Sequence, residues 1–98
     1  MPKVVLSSGF VKSYQELQKD NPGIKKVVDQ RVIWFRRKPN DTRLDNHTLT
    51  KKMTGKWAFS ITDDIRIVYE WLSNSTVRFQ EIGPHDKVYI KRKQSPKR

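Results

Sequence analysis

Cysteine is absent from the chain, which excludes disulfides, cysteine-ligated zinc and thiol catalysis. Only two histidines are present, so a structural metal site is not expected. Acidic residues are scarce: ten Asp and Glu stand against 21 Lys and Arg, a formal net charge of +11. No run approaches the ~18 apolar residues of a membrane span. The opening MPKVVLSSGF has no apolar core of a secretory signal, so a cytoplasmic, non-exported protein is expected.

What is there fits one soluble, globular domain with a densely charged surface: 35% of residues are hydrophobic and 32% charged. A chain of 98 residues holds one core and no second unit. The domain is placed at residues 1–90, with 91–98 (KRKQSPKR) as a basic tail. The excess positive charge calls for an anionic partner: nucleic acid, acidic lipid or an acidic protein. Without a basic amphipathic helix at either end, lipid is the weakest of these, and nucleic acid leads.

Taken in order, Lys3–Leu6 reads as a short β-branched strand and Ser7 or Ser8 as a helix cap. Phe10, Val11, Tyr14 and Leu17 recur at helical spacing. Asn21-Pro22-Gly23 separates this helix from a second, about Pro22 to Lys38, with Asn21 as its cap. Ile24, Val27, Val28, Val32 and Phe35 form its buried face, broadened by Ile33 and Trp34, and Lys25, Lys26, Arg31 and Arg37 point outward. The short connection predicts an antiparallel helical hairpin.

Thr42 to Thr54 reads as a polar connection, after which the period becomes two. Trp57, Phe59 and Ile61 alternate with Ala58, Ser60 and Thr62, and Ile65, Ile67, Tyr69 and Trp71 with Arg66, Val68 and Glu70. Thr62-Asp63-Asp64 and Ser73-Asn74-Ser75 are turns, and Thr76–Ile82 is the last strand, ended by Gly83-Pro84. The fold class is therefore α+β in the order β-α-α-β-β-β, an antiparallel sheet with the hairpin on one face and the other face open.

The chemistry concentrates between Leu44 and Tyr89. Alternation places Arg66 on the open face, where a guanidinium on a rigid strand suits a phosphate. The alternative is a cross-strand ion pair with Glu70 or Glu81. His47 precedes the sheet and His85 follows it. Such a pair suits RNA cleavage by the 2′-hydroxyl, which needs a base, a proton donor and a cation for the phosphorane. Tyr89 is placed to stack on a base or to pack at the sheet edge. Basic residues in and after this stretch, Lys51, Lys52, Lys56, Arg78, Lys87, Lys91 and Arg92, are candidate RNA contacts. No glycine-rich phosphate loop, serine nucleophile elbow or metal-ligand spacing is found.

The segments LDNHTL, GKWAFSITDDIRIVYEW and VRFQEIGPHDKVY resemble the RelE/ParE superfamily of toxins from type II toxin–antitoxin modules, closest to its RelE, YoeB and YafQ branch. The resemblance extends to VVLSSGFVKSYQEL and the helical hairpin. It implies a RelE-like fold and an endoribonuclease, an mRNA interferase that cuts mRNA in the ribosomal A site without metal or other cofactor. It also implies a cognate antitoxin with an acidic binding segment, and the ribosome and mRNA as further partners. By position, His47 corresponds to a general base, Arg66 to the phosphate-stabilising arginine, His85 to the acid or phosphate contact and Tyr89 to the aromatic near the base. Asp64 matches an acidic turn residue functional in some members. Ser60 stands where some YafQ-like members have a further histidine, and Glu81 where they have an arginine. The alternatives are a ParE-like, non-enzymatic inhibitor of DNA gyrase and an inactive homologue that keeps only antitoxin binding.

Overall fold

In the computed structural model, which describes residues 1–49 and 55–84, strand β1 (Lys3–Leu6) leads into a serine cap. The Ser7 hydroxyl accepts from the Phe10 amide at 3.0 Å, satisfying a first-turn donor of helix α1 (Ser8–Asp20). The same hydroxyl donates to the Gln80 carbonyl at 3.2 Å, so the cap also fixes the helix against the last strand. Helix α2 (Ile24–Arg37) follows a tight turn in which the Asn21 carbonyl accepts from the Ile24 amide at 3.0 Å. Asn21 therefore ends α1 through its main chain. The cap of α2 is Gly23, with no side-chain bond, and not the Asn21 side chain read from the sequence.

The connection after α2 is more structured than its polar composition predicts. Asp41 caps a 3-10 turn (Thr42–Leu44), accepting from the Arg43 amide at 3.0 Å, and Leu44 is fully buried beneath it. A two-residue strand β2 (His47–Thr48) then pairs antiparallel with β3 (Trp57–Ser60). Strands β4 (Ile65–Trp71) and β5 (Thr76–Pro84) complete a five-stranded sheet of order β1-β5-β4-β3-β2.

The architecture is the expected α+β arrangement, with two corrections. The sheet is mixed, because β1 joins parallel to β5, Lys3 opposite Thr76 and Leu6 opposite Phe79. Parallel neighbours need a long crossover, and the helical hairpin and the antiparallel strands that follow it lie between these two. The last strand also runs to Pro84, two residues beyond the expected Ile82, because Gly83 and Pro84 pair with Arg66 and Ile65. A register shift lets Gln80 intervene between Phe79, opposite Tyr69, and Glu81, opposite Val68. That extra residue lets both Phe79 and Ile82 reach the core although three positions apart.

The core lies between the hairpin and one face of the sheet. Phe10 and Leu17 of α1 and Ile24, Val28 and Phe35 of α2 meet Phe59, Ile61, Ile65, Ile67, Tyr69, Val77, Phe79 and Ile82. Phe35 is its centre: its ring stacks on Phe59 at 4.6 Å between centroids and meets Tyr69 edge-on at 4.9 Å. Val11 and Ile33 point outward, at 42% and 49% exposed, at the margins of the stripes that the sequence assigned them to. On the opposite face Ala58 and Val68 are also buried, so that face is not uniformly open. No helix among the described residues is long and apolar enough to cross a membrane.

Candidate functional site

His47 is placed by the bend that precedes it. Asp45 adopts a left-handed backbone, φ 49°, which closes the 3-10 turn and which Asp tolerates better than most residues. This turns the Asp45 carbonyl toward His47, whose Nδ1 lies 2.8 Å away. A carbonyl only accepts, so Nδ1 carries the proton and the neutral ring presents Nε2 as its basic nitrogen. The neighbouring Asn46 anchors the bend: its Oδ1 accepts from the Tyr69 hydroxyl at 2.8 Å and its Nδ2 donates to the Pro39 carbonyl at 3.1 Å. Burial pushes the Tyr69 phenol up to about 12, so this donor stays protonated at neutral pH.

Arg66 stands on β4 directly opposite Ser60 of β3. Its Nη1 donates to Ser60 Oγ and lies 3.8 Å from Asp45 Oδ2. The guanidinium is largely enclosed, with 16% of the side chain exposed, and its Nε is buried without a hydrogen-bond partner among the described residues. The ion-pair partner is Asp45, 71% exposed and at long range, where the sequence suggested Glu70 or Glu81. Glu81 lines a separate groove with Gly9, Lys12, Ser13 and Glu16 of α1. Ser60 serves as an anchor for Arg66.

A cleft of about 410 Å³ opens beside Arg66, lined by Arg31, Trp34, Arg43, Asp45, Ser60, Ile61, Thr62 and Asp63. Trp34 forms a wall carrying two guanidinium groups, Arg43 at 3.7 Å and Arg31 at 4.3 Å from the ring centroid. Arg43 is held in plane by Asp41, through Nε at 3.0 Å and Nη2 at 2.7 Å. Those bonds hold the Asp41 carboxyl down at about 2. Arg31 is not a solvated surface residue as its helical position suggested. It is partly buried, and its Nε donates to the Ile61 carbonyl at 3.2 Å.

The remaining predicted residues divide. Lys56 and Arg78 converge on Glu70, which accepts from Lys56 Nζ at 2.8 Å, Arg78 Nε at 3.0 Å and Gln80 Nε2 at 2.9 Å. The bonds from Lys56 first, and then Arg78, depress the Glu70 carboxyl below its ordinary value. Asp64 is exposed in the β3–β4 turn, its amide donating to Thr62 Oγ1 at 3.3 Å, and it is Asp63 that lines the cleft. His85, Tyr89, Lys51, Lys52, Lys87, Lys91 and Arg92 lie outside the described residues. The structure thus joins His47 and Arg66 through Asp45. It adds Arg31, Trp34, Arg43, Asp45 and Asp63, which sequence reasoning did not single out as site residues. The one signal for them was the Asp45-Asn46 pair, a dipeptide suited to a left-handed bend. Among the described residues, no three His, Asp or Glu side chains converge as metal ligands.

No protein-family model matches the sequence, and no curated protein matches it. The fold, by contrast, matches solved structures over almost their whole length. A copper-bound variant of a toxin from Helicobacter pylori superposes with a TM-score of 0.75 and 22% identity, covering 90% of this chain and 99% of that one. YafQ in the DinJ–YafQ complex from E. coli superposes with a TM-score of 0.72 and 19% identity, covering 91% and 99%. The YoeB–YefM toxin–antitoxin complex from Staphylococcus aureus gives 0.68 and 15%, covering 87% and 98%. The structural neighbours are thus toxins of the YafQ and YoeB type, and this chain has the RelE-like fold.

Proposed function

We propose that the chain is the toxin of a type II toxin–antitoxin module and an endoribonuclease that cleaves mRNA in the ribosomal A site. The observation that carries this reading is Asp45. Its carbonyl lies 2.8 Å from His47 Nδ1 and its carboxylate 3.8 Å from Arg66 Nη1, which supports a base and a phosphate-binding cation acting together.

In the reaction, His47 Nε2 removes the proton from a 2′-hydroxyl, whose oxygen attacks the adjacent phosphorus. The bond to the 5′ oxygen of the next nucleotide breaks, leaving a 2′,3′-cyclic phosphate. Arg66 stabilises the charge gathered on the non-bridging oxygens, its guanidinium held in place by the bond from Nη1 to Ser60. The departing oxygen takes a proton from a general acid, the role that the resemblance gives to His85. The ribosome orients the substrate, so the isolated protein is a poor nuclease. The +11 charge supports RNA as the substrate and an antitoxin with an acidic segment, and the proposed place of action is the bacterial cytoplasm.

The test is a purified translation reaction in which mRNA ends are mapped by primer extension, run beside a gyrase supercoiling assay. New ends that appear only when ribosomes are present are expected. Intact mRNA with blocked supercoiling would replace this reading with that of a gyrase inhibitor.

A further inference from the structure

The cleft beside Arg66 contains more cationic groups than phosphate binding uses, and their bonding differs from that of Arg66. Arg43 has committed Nε and Nη2 to Asp41, and Arg31 has committed Nε to Ile61 and Nη1 to Gln30. Those bonds take the Nε–Nη2 edge of Arg43 and two donors of Arg31, and they fix the orientation of both groups. What they offer is a flat face. Arg43 lies 3.7 Å from the centroid of the Trp34 ring, is locked in its plane by Asp41 and keeps 58% of its side chain exposed. A planar, fixed, partly exposed cation on an indole is a stacking platform.

We propose that this cleft is a nucleobase subsite, in which Arg43 on Trp34, with Arg31 alongside, stacks the base of a nucleotide whose phosphate lies on Arg66. The inference rests on the RNA-cleaving reading and adds to it the part of the substrate that sits beside the cut. At about 410 Å³ the cleft falls in the lower part of the ~300–1,000 Å³ range of small-ligand sites, room for one nucleoside. Asp45 and Asp63 also line the cleft, and their carboxylates only accept hydrogen bonds. Adenine, cytosine and guanine offer an exocyclic amino group to such carboxylates. Uracil turns carbonyl oxygens toward them and is disfavoured.

The test uses the intact protein and NMR of its side-chain N–H groups, with 5′-AMP, 5′-CMP, 5′-UMP and ribose 5-phosphate as probes. AMP and CMP are expected to shift the Trp34 indole and Arg43 Nε signals, UMP to do so more weakly, and ribose 5-phosphate to shift Arg66 alone. Arg43→Ala is expected to weaken AMP by about fivefold or more while ribose 5-phosphate binding stays unchanged. Arg43→Lys, which keeps the charge and loses the plane, should behave like the alanine variant, and it serves if Arg43→Ala does not fold. Shifts at Trp34 as large with ribose 5-phosphate as with AMP, or unchanged AMP binding in both variants, would overturn the subsite. In the translation assay, an Arg43→Lys protein that cuts at the same positions and rate as wild type would remove the subsite and leave the nuclease reading standing. Base-dependent shifts at Trp34 with no mRNA cleavage would do the reverse.

Discussion

The Tyr69 hydroxyl, inside the core, donates to Asn46 Oδ1 at 2.8 Å and so ties the bend carrying His47 to the central strand. Asn46 completes the tie by donating to Pro39, so the segment after α2 is held at both ends of one amide. The position of the proposed base thus depends on a buried residue of the central strand.

Tyr69→Phe removes that donor and leaves an amide oxygen without its partner, at an expected cost of about 1–3 kcal/mol. The pH dependence has a definite sign. The folded phenol, near 12, binds its proton more tightly than the unfolded one at 10.0. Its contribution is therefore complete below pH 10.0 and is lost as pH rises toward 12. Urea midpoints should fall across that interval by an amount equivalent to roughly 2–3 kcal/mol more in wild type than in Tyr69→Phe. Parallel curves for the two proteins would show that the phenol is not held as described.

His47→Ala and Arg66→Ala should each lower ribosome-dependent cleavage by ~10²-fold or more, with circular dichroism and thermal midpoint close to wild type. Asp45→Asn keeps a residue that tolerates the left-handed backbone, and keeps its carbonyl, so it should preserve the His47 contact. Its loss should be smaller, confined to the carboxylate beside Arg66. Cleavage near the wild-type rate in both alanine variants would place the chemistry elsewhere.

Glu70 occupies both Lys56 and Arg78, so it withholds two cations from any anionic ligand on that face. Glu70→Gln should therefore tighten RNA binding and steepen its salt dependence by about 0.7 in log–log slope for each cation released. Fluorescence anisotropy with a short single-stranded RNA across a salt series measures both. An unchanged slope would mean that Lys56 and Arg78 do not face the RNA.

Phe35 touches Phe59, Tyr69 and Phe79 and is fully buried, so Phe35→Ala opens a cavity where helix and sheet meet. A loss of ~3–5 kcal/mol is expected by urea denaturation. Val11→Ala, at the exposed margin of α1, should fall within about 0.5 kcal/mol of wild type by the same measurement.

How much of this was legible varies with the range of the interaction concerned. The alternation of Ile65, Ile67 and Tyr69 gave β4 its faces, and with them the placement of Arg66, because strand periodicity is local. Strand β2 is two residues long and carries no period at all; only its pairing with Ala58 and Trp57 makes it a strand. The extra residue at Gln80 leaves each half of β5 with correct local alternation and changes only the phase between them. At the site, the sequence offered His47 and Arg66 but not Asp45, which acts on one through its main chain and on the other through its side chain. Arg31 read as surface charge and Arg43 lay unremarked in a polar connection, since their distinguishing feature is a shared contact with Trp34 that no spacing encodes.

The parallel pairing of β1 with β5 has a consequence in time. Residues 3–6 are hydrogen-bonded to residues 76–79, so this edge cannot close until more than 70 intervening positions have been synthesised and have left the ribosomal exit tunnel. The Ser7 cap reaches Gln80 and the Ser13 hydroxyl accepts from the Ile82 amide at 3.1 Å, so α1 too gains its final seat only then. A nascent chain interrupted before β5 holds every described residue of the proposed site on an unfinished scaffold. Synthesis of nearly the whole domain thus becomes the condition for its activity.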